Sequence, residues 1–121
     1  MALDIPAKFK GKTEYWATGG QILFRGEIDQ TDPSEFLGPF FKTILAQAVE
    51  SGLDAVEIDI RQLGFINSSG VKAFVVFLVG LLSLPTEKRF LVNFAINKEV
   101  TWHNAVVAPL RIMAPNFVRV N

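Results

Sequence analysis

The stretch Ala55-Val-Glu-Ile-Asp-Ile60, Arg61-Gln-Leu-Gly-Phe-Ile66, Asn67-Ser68-Ser69-Gly70 and then the apolar run from Val71 to Leu84 decides the fold. Val56, Ile58 and Ile60 alternate with Glu57, Asp59 and Arg61, the period of a strand with one buried and one wet face. The strand is expected to end near Ile60. After a short connection, Val71, Phe74, Val75, Leu78 and Leu82 recur at helical spacing. Asn67 or Ser68 suits the N-cap, because a short polar side chain there accepts a hydrogen bond from a free backbone N–H. Those same N–H groups favour an anion, such as a phosphate on one of the two hydroxyls. Capping alone also accounts for the residues.

Working outward, Thr13 to Ala17 are β-prone, Thr18-Gly19-Gly20 signals a turn, and Ile22, Phe24 and Ile28 carry a second strand, so a hairpin precedes the central unit. Asp32-Pro33-Ser34-Glu35 opens a helix with Phe36, Phe40, Phe41, Ile44, Leu45 and Ala48 on its inner side and Gly52 at its end. Gly38-Pro39 interrupts that pattern, and the expectation is a short turn with the main helix starting at Pro39. Phe90, Val92, Phe94 and Ile96 alternate as a further strand. Asn97 suits the cap of a third helix from about Lys98 to Val107, which Pro109 ends or bends, and Phe117, Val118 and Val120 suggest a short last strand.

Two segments together resemble the STAS domain family, named for sulfate transporters and anti-sigma factor antagonists. The first is Glu57-Ile58-Asp59-Ile60 followed by Phe65-Ile66-Asn67-Ser68-Ser69-Gly70-Val71, similar to the family's strand, Asp-Ser-Ser/Thr-Gly loop and helix. The second is Arg25-Gly26-Glu27-Ile28-Asp29, which resembles the Gly-Glu-Leu-Asp that closes the corresponding strand. One position departs from the pattern: Asn67 stands where the family usually has Asp.

The resemblance implies an α/β, STAS-like fold, a mixed sheet of four to five strands with helices mainly on one face, and strict alternation in the strands agrees with one wet face. Residues 13–121 form that domain and residues 1–12, which show no clear period, a lead-in. It further implies a signalling module that binds an anti-sigma factor or serine kinase, with Ser68 as phosphoacceptor and Asp29, Asn67, Ser69 and Gly70 on the rim of the site. The alternative is a STAS regulatory or structural subunit of a transporter or larger assembly, without phosphorylation. Arg25, Glu27, Glu57, Asp59 and Arg61 are expected to form cross-strand ion pairs on the wet face.

Composition bounds the remaining classes. Twelve basic and twelve acidic residues cancel, and no segment concentrates Lys or Arg, so the electrostatic footprint of a nucleic-acid binder is missing. The chain has no cysteine and one histidine, His103, so neither thiolate ligands nor a histidine cluster is available for a metal. Gly11-Lys12-Thr13 imitates the end of a phosphate loop without its first glycine, and a Gly-x-Ser-x-Gly elbow is absent. Neither an enzyme nor a cofactor is expected, and a carboxylate pair of Asp29 with Asp59 or Glu57 is set aside because strand-face charges are normally solvated. The N-terminal residues lack the pattern of a signal peptide, and Ala73–Leu82 is too short to span a membrane, so a cytoplasmic protein is expected.

The second helix is apolar on its outer side. Val76 and Val79, with Phe77 at the flank, form a candidate interface there, covered either by a second copy of the chain or by a neighbouring element.

Overall fold

The computed structural model describes residues 2–121. Six strands and three α-helices follow one another as β1 Leu3–Lys10, β2 Thr13–Gly19, β3 Gln21–Ile28, α1 Ser34–Ser51, β4 Ala55–Ile66, α2 Ser68–Leu82, β5 Leu91–Ala95, α3 Thr101–Met113 and β6 Val118–Val120, with a 3-10 turn over Thr86–Lys88. The sheet keeps the strands in sequence order, antiparallel from β1 to β3 and parallel from β3 to β6. Right-handed crossovers between parallel strands laid down in one direction put every helix on the same face. The core forms there: Phe24 of β3 meets Phe40, Phe41 and Phe74, and Phe94 of β5 meets Phe74.

The sheet is larger than expected because the lead-in is a strand. Leu3 and Ile5 of β1 are buried, but a register shift between Ile5 and Lys8 around Pro6 breaks the alternation that would have revealed it. As an edge strand, β1 leaves Asp4 groups unpaired on its outer side, and Gln47 of α1 satisfies both: the Asp4 N–H donates to Oε1 at 2.9 Å and Nε2 donates to the Asp4 carbonyl at 3.2 Å.

Strand β4 does not stop at Ile60. It runs to Ile66 through two register shifts against β3, since Leu23 faces Asp59 while Arg25 faces Gln62, and Gly26 faces Leu63 while Glu27 faces Phe65. Each shift inserts one β4 residue and moves the inward phase, so Ile58 and Ile60 point into the core and then Leu63 does. Gly26 makes room for this. Its φ is +94°, and a Cβ there would lie 2.0 Å from the Lys12 carbonyl oxygen, so only glycine fits.

Helix α1 is continuous through Pro39, with no break before it. Proline normally clashes with the side chain and N–H of the preceding residue, and Gly38 removes the Cβ half of that clash. Helix α3 begins at Thr101 rather than Lys98 and contains Pro109. Asn97 instead forms a local turn, its Oδ1 accepting from the Glu99 N–H. The displaced start is set by His103, which is fully buried: Nδ1 accepts from the Asn97 N–H at 3.1 Å, so Nε2 carries the proton and donates to the Leu63 carbonyl at 2.9 Å. That bond satisfies a carbonyl at a bulged part of β4.

On the helix-free face, the expected cross-strand ion pairs do not form. The register shift sets Arg25 against Gln62, where it hydrogen-bonds, pairs with Glu14 at 3.2 Å and lies over the Trp16 ring. Asp59 sits between Leu23 and Ala95 and is only 6% exposed. Arg61, two residues along the strand, folds back over it with Nε at 3.0 Å and Nη2 at 2.7 Å, and the Arg61 N–H adds a third donor at 3.0 Å. The Arg61 hydrogen bonds hold the Asp59 carboxyl below the usual carboxylate range, against the desolvation that would raise it. A carboxyl whose folded value is depressed adds stability above its unfolded value near 3.9 and loses it as pH falls through the folded value. Wild type should therefore lose urea resistance more steeply below about pH 4 than Asp59→Asn does, as paired unfolding midpoints at neutral and acid pH will show.

Candidate functional site

The carboxyl ends of β3 and β4 bring the sequence-selected residues together. Asn67 is the N-cap of α2, with extended backbone angles, and its side chain works in two directions. Oδ1 accepts the Gly70 N–H at 2.8 Å, and Nδ2 donates to the Gln30 carbonyl, also at 2.8 Å. Its backbone N–H donates to the Ile28 carbonyl at 3.0 Å. One residue thus ties the start of α2 to the segment leaving β3. A carboxylate could cap the helix equally well but could not donate to Gln30, which gives a physical reason for Asn where the resemblance leads one to expect Asp.

Gly70 is the second fixed point. A Cβ there would meet Ile66 Cγ1 at 2.7 Å and Ile28 Cγ2 at 2.9 Å, so the absence of a side chain lets α2 settle directly on the ends of β3 and β4. Gly70 is accordingly buried, as a spacer rather than part of an open rim.

Ser68 and Ser69 occupy the first turn with both side chains exposed. Neither hydroxyl hydrogen-bonds to another described residue. Asn67 takes the Gly70 N–H through its side chain and the Val71 N–H through its carbonyl, leaving the N–H groups of Ser68 and Ser69 at the open helix end. Electrostatically this is a positive terminus beside two free hydroxyls.

Asp29 lies on the neighbouring loop, exposed, with Lys12 Nζ 3.7 Å from its Oδ2 and 3.8 Å from Glu27 Oε1. Lys12 comes from the turn between β1 and β2, which reading the first twelve residues as a lead-in had left out. Gln30 fastens the same turn, Nε2 donating to the Lys10 carbonyl at 2.6 Å and to Thr13 Oγ1 at 3.1 Å. The hairpin turn, the Asp29–Gln30 segment and the start of α2 are therefore one hydrogen-bonded unit.

On the other side of α2 lies an apolar cleft of about 480 Å³, lined by Phe65, Ile66, Val71, Trp102, Val106 and Pro109 among others. Its lining side chains are apolar apart from the indole N–H of Trp102. Phe65, one of its lining residues, is 47% exposed and follows the second bulge of β4. Sequence reading missed this cleft, because it depends on α3 standing away from the first turns of α2.

The outer side of α2 is partly as expected. Val76 and Val79 are 58% and 52% exposed, whereas Phe77 is buried and stacks on Phe41 of α1, so it is no part of a surface.

No protein-family model and no curated protein sequence matches the chain. The fold is nonetheless a known one: an α/β arrangement with its helices on one side of a mixed sheet, as in a solved anti-sigma factor antagonist. A matching solved structure is an anti-sigma factor antagonist from Mycobacterium paratuberculosis, with a TM-score of 0.52 over 98% of this chain and 86% of that chain. Sequence identity is 14%, and the likeness is one of fold. No helix among the described residues is long and apolar enough to cross a membrane.

Two substitutions separate the fixed points of the site. Asn67→Asp should cost about 1–3 kcal/mol of unfolding free energy by removing the donor to Gln30. Gly70→Ala should cost a similar amount, about 1–3 kcal/mol, by forcing α2 off Ile28 and Ile66. Urea titration of both variants checks these values, and the Ser68→Ala variant should stay within about 0.5 kcal/mol of wild type.

Proposed function

We propose that this chain is a protein-binding signalling module that acts like an anti-sigma factor antagonist, with Ser68 as the residue a partner serine kinase or anti-sigma factor modifies. The observation that carries the reading is the free, exposed Ser68 hydroxyl on the first turn of a helix whose leading N–H groups are open. The fold likeness to an anti-sigma factor antagonist supports it. A phosphate on Ser68 would add about −1.5 to −2 charges near neutral pH, which the helix start tolerates. A partner seated over Ser68, the acidic loop carrying Asp29 and the apolar cleft would meet that charge directly. Modification then weakens binding by repulsion and desolvation at the contact. Chemistry of the chain's own has no part in this mechanism.

A second reading is favoured by one observation, the engagement of Asn67. With its amide committed to Gln30 and Gly70, the loop presents no acid beside Ser68 for a kinase to read, and the chain would serve as an unmodified regulatory or structural subunit of a transporter or larger assembly.

Incubation with labelled ATP and an extract of the native cell, followed by site mapping, should place phosphate on Ser68 and not on Ser69. A partner captured on wild type should bind Ser68→Ala equally and Ser68→Asp at least tenfold more weakly. Absence of phosphate on Ser68, with equal binding by all three proteins, supports the unmodified subunit.

A further inference from the structure

Helix α2 has 15 residues and one charge, Lys72. Its outward stripe runs Ser68, Lys72, Val76, Val79, Ser83, each three or four residues from the next and each exposed. A solvent-facing helix normally places charges at such positions. Here the centre of the stripe is two β-branched apolar residues, 58% and 52% exposed, that neither α1 nor α3 covers.

We propose that this stripe is a two-fold interface between copies of the chain, with the two α2 helices antiparallel. The pattern is self-complementary about the midpoint between Val76 and Val79. Under an antiparallel two-fold relation Val76 meets Val79 of the second copy, Val79 meets Val76, and Lys72 falls beside the small, polar Ser83, as an isologous contact requires. Charge selects this direction. In a parallel pair the two Lys72 ammonium groups would be neighbours, whereas the antiparallel pair separates them by about 16 Å along the axis. That exceeds the screening length of about 8 Å at physiological salt, so repulsion does not oppose association.

Ser68 lies on the same stripe, one turn before Lys72, so the second copy and any partner seated at Ser68 compete for adjoining surface. The contact rests on a few turns of one helix and is therefore weak and reversible. The inference stands whether or not Ser68 is modified.

Sedimentation equilibrium from about one micromolar to about one millimolar protein should show a monomer passing to a dimer. Val76→Glu combined with Val79→Glu should raise the dissociation constant at least tenfold without changing the circular dichroism spectrum. Should that pair of charges perturb folding, Val76→Ser with Val79→Ser serves instead. The direction is tested by Lys72→Cys with Ser83→Cys, because the chain contains no other cysteine. The two positions on one helix are too far apart to bridge, so oxidation links two copies: an antiparallel pair joins 72 to 83, a parallel pair would join 72 to 72 and 83 to 83, and peptide mapping of the disulfide separates them. A dimer linked between 72 and 83, with a wild-type spectrum, is the expected product, and a dimer linked 72 to 72 or 83 to 83 overturns the antiparallel pairing. A monomer throughout the concentration range overturns the proposal, and so does a dimer indifferent to the Val76 and Val79 substitutions. A wild-type dimer whose cysteine variant fails to cross-link overturns the antiparallel pairing and the proposal with it.

Discussion

The arrangement of the site depends on how closely α2 can approach the ends of β3 and β4. Gly70 permits that approach, because any side chain would strike Ile66 and Ile28, and Asn67 fixes it with bonds to Ile28, Gln30 and Gly70. The two act together: the amide holds the helix start at a distance that only glycine tolerates. From there the direction of α2 is set, and Phe74 and Phe77 reach Phe41 of α1 while Phe74 reaches Phe94 of β5. Packing in the core and exposure of Ser68 are consequences of one contact.

Much of this was legible because the signals are local. The alternation of Ile22, Phe24 and Ile28 and of Phe90, Val92 and Phe94, the Gly19-Gly20 turn and the polar cap before Val71 each fix an element from neighbouring residues. The features that escaped depend on register. Two inserted residues in β4 shift its inward phase, so the last six residues of the strand look like a loop, and Pro6 hides β1 in the same way. Asp59 reads as a wet-face charge by alternation, yet its cross-strand neighbours Leu23 and Ala95 and the returning guanidinium of Arg61 bury it.

Two further differences came from single side chains acting at a distance in sequence. His103 binds Leu63, forty residues earlier, and the Asn97 N–H, and so draws the start of α3 past the position that Asn97 as a cap would give. Gly38 lets α1 carry Pro39 without breaking. On α2, helical spacing identified Val76 and Val79 as outward but misplaced Phe77, because α1 wraps far enough round the helix to take Phe77 into the stack with Phe41.

The clamp also constrains how the modification proposed for Ser68 would be transmitted. Asn67 is held from three directions and Gly70 is wedged between two isoleucines, so the start of α2 has little freedom to shift or rotate. Close-packed interiors respond by discrete rearrangement rather than by continuous deformation. A group added to the Ser68 oxygen would find open N–H donors beside it and need no change in the helix to be accommodated. Its effect would then be felt outside the fold, as charge and bulk on a surface bounded by Asp29 and the Phe65–Trp102 cleft. A rigid platform of this kind favours direct reading of the surface over a conformational relay, because the bonds of Asn67 and the contacts at Gly70 resist a second placement of α2.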